Sequence, residues 1–278
     1  MYTTLIEPAE LSASLADPGF AVIDCRHELS KPEWGAQMYA ASHIPNALHA
    51  SLDRDLSGPP GPGTGRHPLP AVEAFTATLS RWGIDSAVQV VAYDQGPGAY
   101  AARLWWMLRW LGHARVAVLN GGFAAWQEAG LPVTRDPGVR APRQFVARAS
   151  DSVSVTTAQL EQALAAGNTS LIDARGADRF AGENETIDPV AGHVPGARNR
   201  PFTQNLDARG RFLSPDALRR GFADVTEDEP QSVISMCGSG VTACHNLLAM
   251  EIAGLRGARL YPGSWSEWIR DPRRPIAR

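Results

Sequence analysis

Residues 233–254 read VISMCGSGVTACHNLLAMEIAG, and they contain the most informative pattern in the chain. It opens with a short apolar run, VISM, which is typical of a buried β-strand. A glycine-rich turn follows, and residues 242–254 have the composition of a helix that Gly254 would end. The sequence therefore predicts a strand, a tight loop and a helix, with Cys237 directly after the strand.

The position of Cys237 favours a role in binding or catalysis. Open α/β sheets bind ligands at the carboxyl ends of their strands. The amides of the loop and the dipole of the helix that follows favour an anion there. A thiolate is the nucleophilic form of cysteine, and the same amides could hold a negatively charged sulfur attached to it. The position predicts a nucleophilic cysteine that carries an anionic group.

The chain resembles itself along its length. Four segments of the first half return in the same order in the second half. The matches are AVIDCR (21–26) with SLIDAR (170–175), ASHIPNA (41–47) with AGHVPGA (191–197), QVVAYD (89–94) with SVISMC (232–237), and GGFAAW (121–126) with GSWSEW (263–268). Asp94 falls where the second copy has Cys237. We interpret the chain as two copies of one unit.

The fold class follows from the alternation of elements within each copy. Apolar runs such as FAVID and VQVVAYD alternate with helical stretches such as residues 98–111. This order predicts an α/β fold with two tandem domains, each a mainly parallel sheet flanked by helices. We place the first domain at residues 1–137, a linker at 138–153 and the second domain at 154–278.

Composition narrows the function classes. The 278 residues are 44% hydrophobic and 20% charged, with a formal net charge of −3, as expected for a globular protein. This balance gives no reason to expect nucleic acid or a membrane as partner. The first 20 residues lack the pattern of a signal peptide or a transmembrane helix, so we expect a cytoplasmic location. Three cysteines without a Cys-x-x-Cys pair predict neither disulfides nor a metal, and we expect no cofactor.

Several motifs together make the chain resemble the tandem-domain rhodanese family over nearly its whole length. They are the Asp-x-Arg pair after the first strand of each copy, His43-Ile44-Pro45 with His193-Val194-Pro195, the loop CGSGVTAC, and GSWSEW. The loop form Cys-Gly-Ser-Gly-Val-Thr is similar to that of 3-mercaptopyruvate sulfurtransferases. Thiosulfate enzymes usually carry Arg and Lys after the cysteine. The resemblance implies a sulfurtransferase whose cysteine accepts sulfane sulfur as a persulfide.

The resemblance also implies roles for individual residues. Cys237 would be the nucleophile, and its cradle would be Gly238, Ser239, Gly240, Val241 and Thr242. Arg179 matches the arginine that binds the anionic donor. Asp53 and His67 match residues that lie near the loop serine in mercaptopyruvate enzymes and are thought to relay a proton with it. With Asp94 in place of the cysteine, the first domain resembles the inactive domain of the family.

The sulfur donor stays open between two small molecules. The loop favours 3-mercaptopyruvate, whose leaving enolate needs a proton. Mercaptopyruvate enzymes commonly have a second arginine shortly after the first, whereas this chain has none between Arg179 and His193. Thiosulfate:cyanide sulfur transfer as the main activity is therefore the alternative. The expected acceptor is cyanide or a thiol, either a small thiol or a thioredoxin-like protein.

Other functions fit less well. A cysteine phosphatase needs an arginine six positions after the cysteine, where this chain has Ala243. A non-catalytic rhodanese-like binding module would need neither Cys237 nor an intact glycine loop. A cysteine protease needs an oriented general base, and His245 lies on the helix beyond the loop.

Several conspicuous residues are expected to be structural. They are Cys25 and Cys244 as packed side chains, His43 and His193 as hydrogen-bonding residues, the pairs Asp24–Arg26 and Asp173–Arg175 as ion pairs, and the tryptophan-rich stretch 104–112 as helix core.

Overall fold

The computed structural model describes residues 1–226 and 229–278. Contacts within the chain divide it into two compact units. Unit 1 comprises Met1–Gly58, Leu69–Ser150 and Ala208–Arg211, and unit 2 comprises Pro59–Pro68, Asp151–Asp207 and Phe212–Arg278. The short segment 59–68 thus belongs to unit 2, although it lies within the stretch that we assign to the first domain from sequence. The domain boundaries at 137 and 154 stay predictions.

Unit 1 is built on a parallel five-stranded sheet in the order β1-β5-β4-β2-β3. Its strands are β1 (Leu5–Ile6), β2 (Phe20–Asp24), β3 (Leu48–His49), β4 (Gln89–Tyr93) and β5 (Val116–Leu119). Its helices are α1 (Pro8–Ser14), α2 (Trp34–Ala41), α3 (Val72–Arg81), α4 (Ala99–Trp110) and α5 (Gly122–Glu128). All five residues of β4 are buried, as expected for a central strand covered on both faces.

Unit 2 repeats the architecture with a parallel four-stranded sheet in the order β7-β6-β8-β9. Its strands are β6 (Ser170–Asp173), β7 (Arg198–Asn199), β8 (Val233–Met236) and β9 (Arg259–Leu260). Its helices are α6 (Thr157–Ala166), α7 (Ala177–Ala181), α8 (Pro215–Ala223), α9 (Thr242–Ile252) and α10 (Ser264–Trp268). The predicted α/β class with parallel sheets flanked by helices is confirmed. Among the residues described, no helix is long and apolar enough to cross a membrane.

The two Asp-x-Arg motifs form buried ion pairs, as predicted. In unit 1, Arg26 Nη2 lies 2.6 Å from Asp24 Oδ2, and in unit 2, Arg175 Nη2 lies 2.7 Å from Asp173 Oδ2. Each arginine also donates from Nη2 to a backbone carbonyl, so that its charge is matched and a further donor is used. Each pair therefore fixes the chain just after the first long strand of its sheet.

The two repeated histidines have the structural role predicted for them. His43 Nδ1 lies 2.7 Å from the carbonyl oxygen of Tyr39, and its Nε2 lies 2.9 Å from that of Asp136. His193 Nδ1 lies 2.9 Å from the carbonyl oxygen of Phe180, and its ring stacks on the Phe180 ring. Each histidine ties a helix end to the loop that follows it.

The cysteines and the tryptophan-rich stretch also match their structural interpretation. Cys25 and Cys244 are buried free thiols. Helix α4 contains most of the stretch 104–112, and its three tryptophans are at most 8% exposed. These side chains belong to the packed interior.

Asp94 fills in unit 1 the loop position that Cys237 holds in unit 2. Its carboxylate is buried and accepts hydrogen bonds from the backbone N–H groups of Gly96, Gly98, Tyr100 and Ala101, at 3.1, 2.9, 2.9 and 3.3 Å. Burial raises the pKa of Asp94, and the four amide donors oppose that shift. The loop at the start of α4 therefore provides a ring of amides for an anion that the protein supplies itself.

We expect Asp94→Ala to destabilise unit 1 by about 2–3 kcal/mol. The substitution leaves four buried amides without their acceptor, and an unsatisfied buried group costs about 1–3 kcal/mol. Water that enters the space left by the carboxylate can accept from the amides and offset part of this cost. Urea unfolding followed by tryptophan fluorescence measures this, because six of the eight tryptophans lie in unit 1. Asp136→Ala, at an exposed position of the same unit, is the matched control. A loss in the free energy of unfolding equal to that of the control would contradict the role of Asp94 as acceptor for these amides.

Candidate active site

The loop between β8 and α9 places the Cys237 thiol at the carboxyl end of the central part of the sheet. Cys237 follows Met236, the last residue of β8, and is 2% exposed. The backbone N–H of Gly240 donates to Cys237 Sγ at 3.1 Å. The N–H of Cys237 itself donates to Ser264 Oγ at 3.0 Å, which fixes the loop to the start of α10. The thiol thus lies, as the sequence predicts, directly after a strand and in a loop from which a backbone amide donates to it.

Two glycines of the loop lie close to other atoms, and the backbone requires glycine at position 240. Gly240 has φ +76°, and a Cβ on it would lie 2.5 Å from the carbonyl oxygen of Pro262. A Cβ on Gly238 would lie 2.9 Å from the Arg66 guanidinium. Any larger residue at 240 would strain the backbone, and one at 238 would displace a cation.

Ser239 and His67 meet at the loop that contains Cys237. A hydrogen bond of 2.8 Å joins Ser239 Oγ and His67 Nδ1, and both residues are at most 7% exposed. His67 reaches this position because the chain just before it is anchored to α10. The Gly65 N–H donates to Glu267 Oε2 at 3.3 Å, and the Arg66 N–H donates to Ser266 Oγ at 3.1 Å. A hydroxyl and an imidazole are thereby held next to the loop cysteine.

Two arginines lie against the backbone of the loop. A Cβ placed on Gly238 would lie 3.5 and 3.7 Å from the two Nη atoms of Arg179, which comes from α7, and 2.9 Å from Nη2 of Arg66. The side chains of Arg179 and Arg66 are 20% and 26% exposed, so solutes can reach both. An anion bound over the loop would therefore meet two cations.

Two buried carboxylates hold these arginines. Asp188 bridges them: one of its oxygens accepts from Arg66 Nη1, and the other accepts from Arg179 Nη2 at 3.1 Å. Glu185 accepts from Arg179 Nε and Nη2, at 3.1 and 2.9 Å. Burial raises the pKa of Asp188, and the nearby Arg66 opposes the shift. The arginines are thus oriented before any donor binds.

The structure places the predicted residues as follows. Unit 2 brings together Cys237, Gly238, Ser239, Gly240, Val241, Thr242, Arg179 and His67 around one loop. Asp53 belongs to unit 1, where it lies exposed on a turn, and its role stays a prediction. Sequence reasoning missed Arg66 and Asp188. The only available signal for Arg66 was its place next to His67.

The site carries no metal-binding arrangement among the residues that the structure describes. No group of three or more His, Cys, Asp or Glu side chains within residues 1–226 and 229–278 could hold an ion. The groups gathered around the Cys237 loop are a thiol, a hydroxyl–imidazole pair and two guanidiniums.

Comparisons with known proteins agree with this arrangement. The model of the rhodanese-like domain matches twice, at residues 7–129 and 156–271. A probable 3-mercaptopyruvate sulfurtransferase of Pseudomonas aeruginosa is 48% identical over 98% of this chain and 97% of its own length. A putative thiosulfate sulfurtransferase of Mycobacterium tuberculosis is 40% identical over 99% and 96%. The crystal structure of the 3-mercaptopyruvate sulfotransferase SseA from Escherichia coli superposes with a TM-score of 0.82 at 32% identity, covering 95% of this chain and all of that one.

A thiol in an amide-lined loop, on a duplicated α/β unit, is the arrangement of a sulfur-transferring enzyme. The chain belongs to the rhodanese family, with two rhodanese-like domains. It is a sulfurtransferase, and the persulfide mechanism is general for its family. It takes sulfur from a donor and passes it to a thiol or cyanide.

Proposed function

We propose that the enzyme transfers sulfur from 3-mercaptopyruvate through a persulfide on Cys237. The observation that carries this choice is the hydrogen bond between Ser239, on the loop that contains Cys237, and His67. Release of pyruvate from the donor needs a proton, whereas release of sulfite from thiosulfate does not. A hydroxyl–imidazole pair at the cysteine is therefore useful for one donor and not for the other.

Sulfur transfer proceeds by two displacements at sulfur. The Cys237 thiolate attacks the sulfur of 3-mercaptopyruvate, and the bond between that sulfur and its carbon breaks. The electron pair of the broken bond passes to the enolate of pyruvate, which takes up a proton. The sulfur stays on Cys237 as a persulfide, whose outer sulfur then passes to the acceptor and restores the thiolate.

Ser239 and His67 would supply the proton. The Ser239 hydroxyl lies on the loop residue two positions after Cys237, and His67 can replace the proton that the serine gives up. Asp53 would be the third member of this proton relay, as the family resemblance implies. The geometry within unit 2 supports the serine–histidine part of this relay.

Arg66 and Arg179 would hold the donor. A 2-oxo carboxylate presents a carboxylate and an adjacent carbonyl, which suits two guanidinium forks. The sequence has no second arginine between positions 179 and 193. Arg66, from a distant part of the chain, would be the second donor-binding arginine instead. The acceptor would be a small thiol, a thioredoxin-like protein or cyanide.

Steady-state kinetics with both donors on one preparation test the donor choice. We expect kcat/KM to be higher for 3-mercaptopyruvate than for thiosulfate, with cyanide as a common acceptor. A higher value for thiosulfate would contradict the proposal and favour thiosulfate:cyanide transfer as the main activity.

We expect Arg179→Ala and Arg66→Ala each to lower kcat/KM for 3-mercaptopyruvate by about ten- to a hundredfold. Each change removes a charge-assisted hydrogen bond to the donor, which is worth roughly 1.5–3 kcal/mol. Arg273→Ala, at a side chain that is 88% exposed in the same unit, serves as the control. Donor kinetics equal to the control's for either variant would show that the anion binds elsewhere.

A further inference from the structure

Asp188 has an unusual position for a carboxylate in a site for anions. Its side chain is 2% exposed, and both its oxygens accept from guanidiniums that also lie against Gly238. Its own backbone N–H donates to Glu185 Oε1 at 2.9 Å, which fixes where the carboxylate stands. A negative charge is therefore built into the edge of the donor site, between its two cations.

The charges around the loop balance because of this residue. The guanidiniums of Arg66, Arg175 and Arg179 face the carboxylates of Asp173, Glu185 and Asp188. With all six ionised, the cluster has no net charge. It offers hydrogen-bond donors in fixed directions without a surplus of positive charge.

A site of this kind discriminates by the charge of its ligand. A singly charged 2-oxo carboxylate can use the directed donors and adds one negative charge near Asp188. A doubly charged anion such as thiosulfate meets the same donors but has twice the repulsion from the Asp188 carboxylate. Because the Asp188 side chain is only 2% exposed, that repulsion is screened less than between charges at the surface.

We propose that Asp188 is a specificity-determining residue: by bridging Arg66 and Arg179 it cancels one positive charge beside Cys237 and so favours singly charged donors over doubly charged ones. This inference rests on the proposed donor site. Removing the carboxylate gives the cluster one net positive charge, which attracts a dianion about twice as strongly as a monoanion. A purely positional role would change the binding of both anions by the same factor.

The test uses two inert probes, pyruvate as the monoanion and sulfate as the dianion. Each is titrated for protection of Cys237 against alkylation by iodoacetamide, a neutral reagent, with the Cys237 peptide followed by mass spectrometry. In Asp188→Asn we expect the half-protecting concentration of sulfate, relative to that of pyruvate, to fall about tenfold. The ratio of kcat/KM for thiosulfate to that for 3-mercaptopyruvate should rise by a similar factor.

Two further variants serve as controls. Asp188→Glu keeps the charge and should keep a ratio near that of the wild type. Asp216→Asn removes the same charge from an exposed position on α8 and should leave the ratio unchanged. If Asp188→Asn fails to fold, Glu185→Gln removes a charge from the same cluster and should shift the ratio in the same direction.

A sulfate-to-pyruvate ratio in folded Asp188→Asn equal to that of the wild type would overturn the inference, whether neither probe shifts or both shift by the same factor. Absence of protection of the wild type by either anion would also overturn it. Protection does not depend on turnover. A wild-type enzyme that prefers thiosulfate would therefore contradict the proposed donor while the probe ratio still reports on Asp188.

Discussion

Cys237→Ser should abolish sulfur transfer, with kcat/KM falling at least about a thousandfold for either donor. The serine hydroxyl is almost entirely protonated at neutral pH, so that it is a weak nucleophile in a loop that has no base bonded to this position. It also cannot carry a sulfane sulfur. Loss of a nucleophile of this kind typically removes most of an enzyme's rate enhancement. Thiocyanate formation in the presence of cyanide measures the effect.

Cys25→Ala is the matched control for that variant. Cys25 is buried in unit 1, and its counterpart in the second copy is Ala174, so the fold tolerates alanine at this position. Activity close to that of the wild type is expected. Appreciable turnover by Cys237→Ser, or loss of turnover in Cys25→Ala without loss of folding, would contradict the assignment of the nucleophile.

Ser239→Ala and His67→Ala should each lower kcat/KM for 3-mercaptopyruvate by about a hundredfold and leave thiosulfate turnover within a few fold of the wild type. Positioned proton transfer contributes roughly 10²–10⁴ to a rate, and only the enolate of pyruvate needs the proton. The double variant should lose little more than either single one, because the two side chains act as one relay.

Measuring both donors in each variant separates loss of the proton relay from a general disturbance of the loop. A change that merely disturbed the loop would slow both donors alike, since both must reach the same thiol. Equal losses for 3-mercaptopyruvate and thiosulfate would therefore contradict the relay. Thr226→Ala, in which a hydroxyl is lost from another part of unit 2, is expected to affect neither donor.

The sequence predicted the fold well because its signals are local or repeated. The run VISM, the glycine loop and the helix from Thr242 are adjacent in the chain, so strand, turn and helix could be inferred from one stretch. The repeat then extended the same prediction to the first copy. The Asp-x-Arg ion pairs join residues only two positions apart, and this spacing made them predictable as well.

Most of the candidate site, Arg179 included, was also predicted from the sequence, but Arg66 and Asp188 were not. Arg66 lies in a Gly- and Pro-rich segment with no periodicity, and nothing local indicates that residues 59–68 belong to unit 2. Asp188 lies between Arg179 and His193, where the only feature noted in the sequence is the absence of a second arginine. Their meeting at the Cys237 loop depends on tertiary contacts between distant segments, which a single sequence does not reveal.

The amide loop is the feature that the two copies share. In unit 1 it holds the Asp94 carboxylate, and in unit 2 an amide of the corresponding loop faces the Cys237 sulfur. Both loops therefore direct backbone N–H groups towards the side chain that precedes a helix. In the first copy that side chain is a carboxylate, and in the second it is the thiol to which we assign the sulfur transfer.

Mass spectrometry after a single turnover tests the central claim most directly. The full-length enzyme is incubated with 3-mercaptopyruvate without an acceptor and then digested under conditions that preserve persulfides. We expect the peptide that contains Cys237 to gain the mass of one sulfur atom and to lose it on addition of cyanide, with thiocyanate released in equal amount. A Cys237 peptide that stays unmodified while pyruvate is released, or sulfur found on Cys25 or Cys244 instead, would contradict the account.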